Sequence, residues 1–125
     1  EILPLSRSNL APNSSCLEVG GEKVLPSGFA VKMGVKVAYG TDSGVYPHGD
    51  NAKQFAYMVR YGMTPMQAVQ SATIRAAELL GKEETLGSVQ PGRFADLVAV
   101  KGDPLQDIRV LENLAHVMKD GKLVR

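Results

Sequence analysis

Residues 34–44, with the sequence GVKVAYGTDSG, constrain the fold most, because a β-prone run ends there in an acidic turn. Valine and tyrosine dominate residues 35–39 and a glycine stands on either side, so the pattern predicts a strand. Side chains alternate between the two faces of a strand. One predicted face carries Val35, Val37 and Tyr39, and the other carries Lys36, Ala38, Gly40 and Asp42. We expect the first face to pack under helices.

Asp42 stands where the predicted strand ends. In a barrel or an open α/β sheet, catalytic groups lie at the carboxyl edge of the strands, so Asp42 is a candidate functional residue. The small residues that precede it on its face leave room for a ligand or a metal. Thr, Asp, Ser and Gly are also turn formers, so an ordinary turn is the alternative interpretation.

His48 lies in the polar loop that follows, at the same predicted edge. A histidine beside a strand-end carboxylate can bind a substrate or a metal, whereas an exposed loop histidine is the alternative. Asp50 or Asn51 is a predicted N-cap of the next helix.

Composition excludes several classes of function. The 125 residues suffice for one small domain, and the net charge of +1 gives no electrostatic footprint for a nucleic acid or an anionic membrane. Cys16 is the single cysteine, which rules out an intrachain disulfide and favours a reducing compartment, the cytoplasm. No apolar run approaches the roughly 20 residues of a membrane span, and the beginning does not resemble a signal peptide.

The remaining pattern predicts helices followed by short strands. We expect a short helix over about 27–33, a second over 51–61, and a third over 64–80 with Thr64 as N-cap and Gly81 as its stop. The apolar side of the third helix comprises Ala68, Val69, Ala72, Ala76, Leu79 and Leu80.

From about residue 85 the pattern changes to strands and turns. Pro91 and Gly92 predict a type II turn, residues 95–100 a buried strand, and Asp120-Gly121 a two-residue hairpin. We expect Asp96 to cap or anchor the turn that it follows, and His116 to be structural.

Three separated motifs resemble the amidohydrolase superfamily, in its imidazolonepropionase-like and prolidase-like branch. They occupy residues 34–51, 62–81 and 86–100, followed by GDPL at 102–105 and VMKDGK at 117–122. The resemblance covers about residues 33–125.

The resemblance implies an α/β fold in which a (β/α)₈ barrel is joined to a small β-sandwich. Residues 34–84 would be the end of the barrel, beginning with its eighth strand, and residues 85–125 would be the C-terminal share of the sandwich. Residues 1–33 match the family poorly.

The resemblance also implies chemistry. Asp42 matches the strand-eight aspartate that contacts a divalent metal, expected to be zinc, and takes a proton from the attacking water. His48 matches a histidine that shapes the substrate pocket. The implied reaction is hydrolysis of a C–N bond in an amide, a cyclic amide or a dipeptide.

The chain departs from the family in its metal ligands. His48 and His116 are its only histidines and it has no His-x-His pair. We therefore expect a fragment of such an enzyme that holds no metal and is inactive alone. The alternative is an independent, non-catalytic α+β domain stabilised by self-association. A lone eighth strand exposes two unpaired edges that invite pairing with another chain, so we expect the isolated chain to self-associate or to be poorly soluble.

Overall fold

The computed structural model describes residues 17–19, 22–24, 26–41 and 47–125, with the backbone alone for residues 17–28 and His48. The elements in chain order are β1 (Leu17–Val19), β2 (Glu22–Val24), α1 (Pro26–Lys32), a first 3₁₀ helix (His48–Asp50), α2 (Lys53–Arg60), α3 (Pro65–Ala72), α4 (Ile74–Leu79), β3 (Leu97–Val100), a second 3₁₀ helix (Ile108–Glu112), β4 (Leu114–Lys119) and β5 (Lys122–Leu123). In this part of the chain, no helix is long and apolar enough to cross a bilayer.

The strands form two small antiparallel sheets. β1 pairs with β2, and β4 lies between β3 and β5. Val98 pairs with Val117, and the register shifts between Ala99 and Val100, where one residue of β4 is extra. The predicted hairpin is confirmed, since Asp120 and Gly121 have φ angles of 51° and 74° and connect β4 to β5. Positive φ at both central residues is typical of a type I′ turn.

Glycine ends three of the helices in the same way. Gly34, Gly62 and Gly81 follow α1, α2 and α4 with φ angles of 82°, 110° and 61°. At each end, the glycine N–H and the next N–H donate back to carbonyls of the last turn, as Gly81 does to Glu78 and Lys82 does to Ala77. This is the Schellman arrangement, which satisfies carbonyls that a helix end leaves without partners.

The third predicted helix is divided in two, so its prediction as one continuous element was wrong. Thr64 caps α3 as expected, in a capping box with Gln67. The break falls at Thr73, with φ −123° and ψ −93°, where the hydroxyl donates to the Val69 carbonyl. This β-branched residue, which precedes Ile74, disfavours continued helix and competes for backbone acceptors.

The break also changes which side of α4 is buried. Ala77 is 3% exposed, whereas Leu79 and Leu80, expected in the core, are 76% and 66% exposed. A single helical periodicity cannot be continued across a residue that leaves the helical conformation.

The core lies where α2, α3 and the second 3₁₀ helix meet. It consists of Met58, Met63, Ala68 and Ile108. Partly buried side chains pack against this core, among them Val37 and Tyr39. This confirms that one apolar set of residues 35–39 packs under helices. Val35, expected with them, is exposed.

Residues 35–41 form no regular strand, in contrast to the prediction. Within the described residues, the Val35 N–H donates to Ala30 of α1, and the Tyr39 N–H donates to Ser71 of α3 at 2.8 Å. A strand requires the ladder of a neighbouring strand, and here the backbone bonds run to helices instead. Propensity alone therefore does not make this segment a strand.

Candidate functional site

The candidate site lies where residues 35–41 meet the start of α2. Asp42 and Cys16 both lie outside the described residues. The structure describes the chain up to Thr41 and again from Pro47, so the site is defined by the residues on either side of Asp42 and by what holds them.

Tyr39 anchors the approach to Asp42 through three contacts. Its backbone N–H donates to the buried end of α3, at the Ser71 carbonyl. Its ring stacks on Phe55 of α2, with centroids 4.5 Å apart and an angle of 23° between the planes. Its hydroxyl donates to the Asn51 carbonyl. Because its backbone, ring and hydroxyl are all held, Tyr39 fixes the position of the backbone that leads to Gly40 and Thr41.

Two side chains at the start of α2 hold the residues immediately before Asp42. Asn51 Nδ2 donates to Thr41 Oγ1 at 3.2 Å, and Gln54 Nε2 donates to the Gly40 carbonyl at 3.2 Å. Thr41, the second of the two residues held in this way, directly precedes Asp42 in the sequence. The sequence analysis named Asn51 only as a candidate N-cap and did not name Gln54, although polar residues three apart at a helix start share one face.

The predicted capping of α2 by Asp50 or Asn51 was wrong. Its N-cap is Ala52, with no side-chain hydrogen bond. The first 3₁₀ helix leads into α2, so backbone carbonyls take these N–H groups, as when Gln54 N donates to the Asn51 carbonyl at 3.1 Å. The Asn51 side chain is thereby available for Thr41.

His48 begins the first 3₁₀ helix, and its side chain is not described. The helix is closed by the Asp50 N–H, which donates to the Pro47 carbonyl at 2.9 Å. Lys53 Nζ lies 2.9 Å from Asp50 Oδ1, and this hydrogen bond and charge raise the pKa of Lys53. The backbone of His48 therefore lies in a turn that the hydrogen bond between Asp50 and Pro47 closes.

The other end of residues 35–41 is tied to α4. Lys36 Nζ and Arg75 Nη1 both contact the Glu78 carboxylate, at 2.9 Å and 2.8 Å. The hydrogen bond from Lys36, and then that from Arg75, lowers the pKa of Glu78. The segment is therefore attached to helices at both ends.

The described residues do not fit a complete metal centre. Among them, no group of three or more His, Cys, Asp and Glu side chains could hold a metal ion. His116 lies in β4, where it pairs with Ala99 of β3. A catalytic zinc requires about three protein ligands and an open position, so residues beyond this described set would have to supply them.

Comparisons with known proteins agree with the resemblance. The ochratoxinase of Aspergillus niger is 39% identical over 101 residues, covering 77% of this chain and 21% of that protein. The imidazolonepropionase of Geobacillus kaustophilus is 39% identical over 66 residues, covering 50% and 16%. A solved Xaa-Pro dipeptidase, with methionine bound in its active site, is 54% identical with a TM-score of 0.75 over 78% of this chain and 24% of that one.

The match therefore spans a quarter or less of the length of each of these relatives. The family model itself matches residues 13–124, which is most of the chain. The chain belongs to the amidohydrolase family.

Proposed function

We propose that the complete protein to which this chain contributes hydrolyses C–N bonds, with dipeptides that end in proline as its substrate class. The observation that carries the proposal is the 54% identity to a Xaa-Pro dipeptidase over 78% of the chain. The methionine bound in that relative is one of the two products that hydrolysis of methionyl-proline would release. Amides and cyclic amides remain within the broader class of C–N substrates.

In this proposal, residues 34–84 form the end of a (β/α)₈ barrel and residues 85–125 belong to a β-sandwich. Residues 35–41 take the place of the eighth strand once a neighbouring strand supplies its ladder. The packing of Val37 and Tyr39 under α2 and α3 supports this assignment, because the opposite side of the segment then faces the barrel interior.

Asp42 is the proposed metal-contacting general base. A divalent metal, zinc by our assignment, would lower the pKa of a bound water toward about 7. Asp42 would help to hold that metal, accept the proton of the water and pass it to the leaving amine. The remaining ligands come from other parts of the complete protein, since the described residues offer no metal-holding group.

His48 is the proposed pocket residue on the substrate side. Its support is positional, because the 3₁₀ helix that begins at His48 is followed by Asn51 and Gln54, which hold Thr41 and Gly40. We assign it to substrate contact rather than to the metal.

The proposal is tested by the rate at which the complete protein releases proline from methionyl-proline. We expect turnover that is lost with a chelator and restored by zinc, and at least tenfold slower cleavage of prolyl-methionine, which has the same composition in reverse order. Equal rates for both dipeptides would contradict the substrate class. Unchanged turnover after the chelator has removed all metal would contradict the metal dependence.

A further inference from the structure

We propose that Asn51 and Gln54 are positioning residues for the proposed base Asp42, because they hold the two residues that precede it, Gly40 and Thr41. This inference rests on the proposed function, because it assigns a purpose to the hydrogen bonds beside the proposed base. Neither side chain is assigned a contact with the substrate or the metal.

The two amides act from a rigid base. Asn51 and Gln54 are one helical turn apart, and α2 is fixed to the core by Met58, which is 3% exposed. Both are donors, to Thr41 Oγ1 and to the Gly40 carbonyl, each at 3.2 Å. Two bonds from residues 51 and 54, at the entry to α2, to consecutive residues restrict both the position of the segment and its rotation.

Helix formation does not account for either side chain. Asn51 would ordinarily cap α2, yet the N-cap is Ala52 and no side-chain bond is made there. Gln54 has its backbone N–H bonded to the Asn51 carbonyl, and its side chain extends away from α2 to Gly40. Both side-chain amides therefore donate hydrogen bonds to the segment at residues 40–41.

The expected consequence is catalytic more than structural. A misplacement of about 1 Å in a catalytic group can lower a rate on the order of 100-fold. Loss of the exposed Gln54 bond, by contrast, removes a single neutral hydrogen bond, so the folded fraction should change little. Turnover and stability are therefore expected to respond differently.

The experiment compares three substitutions in the complete protein that keep the side-chain size and remove the donor: Asn51→Leu, Gln54→Met and, as a matched control, Lys53→Met. Lys53 lies between the two amides in sequence and pairs with Asp50 instead. The measurements are kcat and KM on methionyl-proline, and amide hydrogen exchange of the peptide that covers residues 38–46.

We expect kcat to fall about 10-fold to 100-fold in Asn51→Leu and Gln54→Met, with KM changed less than about threefold. We also expect faster exchange confined to residues 38–46. Lys53→Met should match the unsubstituted protein. A kcat within twofold of the unsubstituted value in folded Gln54→Met would overturn the inference, as would an equal loss in Lys53→Met. If Asn51→Leu does not fold, Gln54→Met decides alone.

The variant Asp42→Asn distinguishes a failure of the positioning role from a failure of the proposed function. Loss of turnover in Asp42→Asn, with none in the two amide variants, overturns the positioning role alone. Retained turnover in Asp42→Asn overturns the role of Asp42 itself. Hydrogen exchange needs no substrate, so unchanged exchange in both amide variants overturns the positioning role whatever the enzyme hydrolyses.

Discussion

Gly87 lies so close to α4 that a side chain has no room there. A Cβ on Gly87 would stand 2.9 Å from the Ala77 Cβ and 2.9 Å from the Thr73 carbonyl oxygen, and φ is 88°. Gly92 has nearly the same φ, 87°, but a Cβ there meets nothing within 4 Å. The two glycines therefore separate the cost of a left-handed backbone from the cost of a steric clash.

We expect Gly87→Ala to destabilise the fold more than Gly92→Ala. Both substitutions place an L side chain at positive φ, which costs about 1–2 kcal/mol. Gly87→Ala adds overpacking against α4, about 1–3 kcal/mol further. Urea unfolding of both variants, at equal and low protein concentration, measures the difference. Equal losses would show that the loop moves away from α4 without cost.

At the scale of elements, Asp96 ties β3 to the β4–β5 hairpin. Its carboxylate accepts from the Asp120 N–H at 2.8 Å and from Lys119 Nζ. The hydrogen bond from Lys119, and then that from Asp120, lowers the pKa of Asp96. The sequence prediction that Asp96 caps or anchors the turn before it was wrong, because its carboxylate anchors the distant β4–β5 hairpin instead.

This pKa shift gives Asp96 a predictable pH dependence. Because its pKa is lowered in the folded protein, the stabilisation is present above the unfolded pKa of about 3.9 and is lost as pH falls through the lower folded value. We expect Asp96→Asn to lower Tm by roughly 1–5 °C at pH 7, and the difference to vanish in strong acid. Thermal melts from pH 7 to pH 2, with the exposed Glu84→Gln as control, test this. A difference that stays constant with pH would contradict the charge-based account.

The elements show which features a sequence can predict. The start of α3 and the end of α4 depend on local chemistry, so Thr64 and Gly81 were identified correctly. A strand depends on a partner, so the β-prone residues 35–39 alone could not specify one. The roles of Asn51 and Gln54 depend on partners 10 and 14 residues away in sequence, and capping preferences pointed Asn51 to a different role.

At the scale of the whole molecule, apolar side chains between the helices and β3 remain exposed and are not part of the core. A groove of about 500 Å³ separates α3 and α4 from β3, and Leu80, Val89, Phe94 and Val98 along it are all exposed. Val89 is 82% exposed. Such a patch favours contact with other protein surfaces. Self-association of the isolated chain, expected from the sequence, stays a prediction.

The most direct measurement is the turnover of methionyl-proline by the complete protein with Asp42→Asn, beside the unsubstituted protein. We expect kcat to fall about 10²–10⁴-fold, because the amide cannot accept the proton from water, while the far-UV circular dichroism and Tm stay close to the unsubstituted values. A kcat within a few-fold of the unsubstituted protein would contradict the assignment of Asp42 as the base.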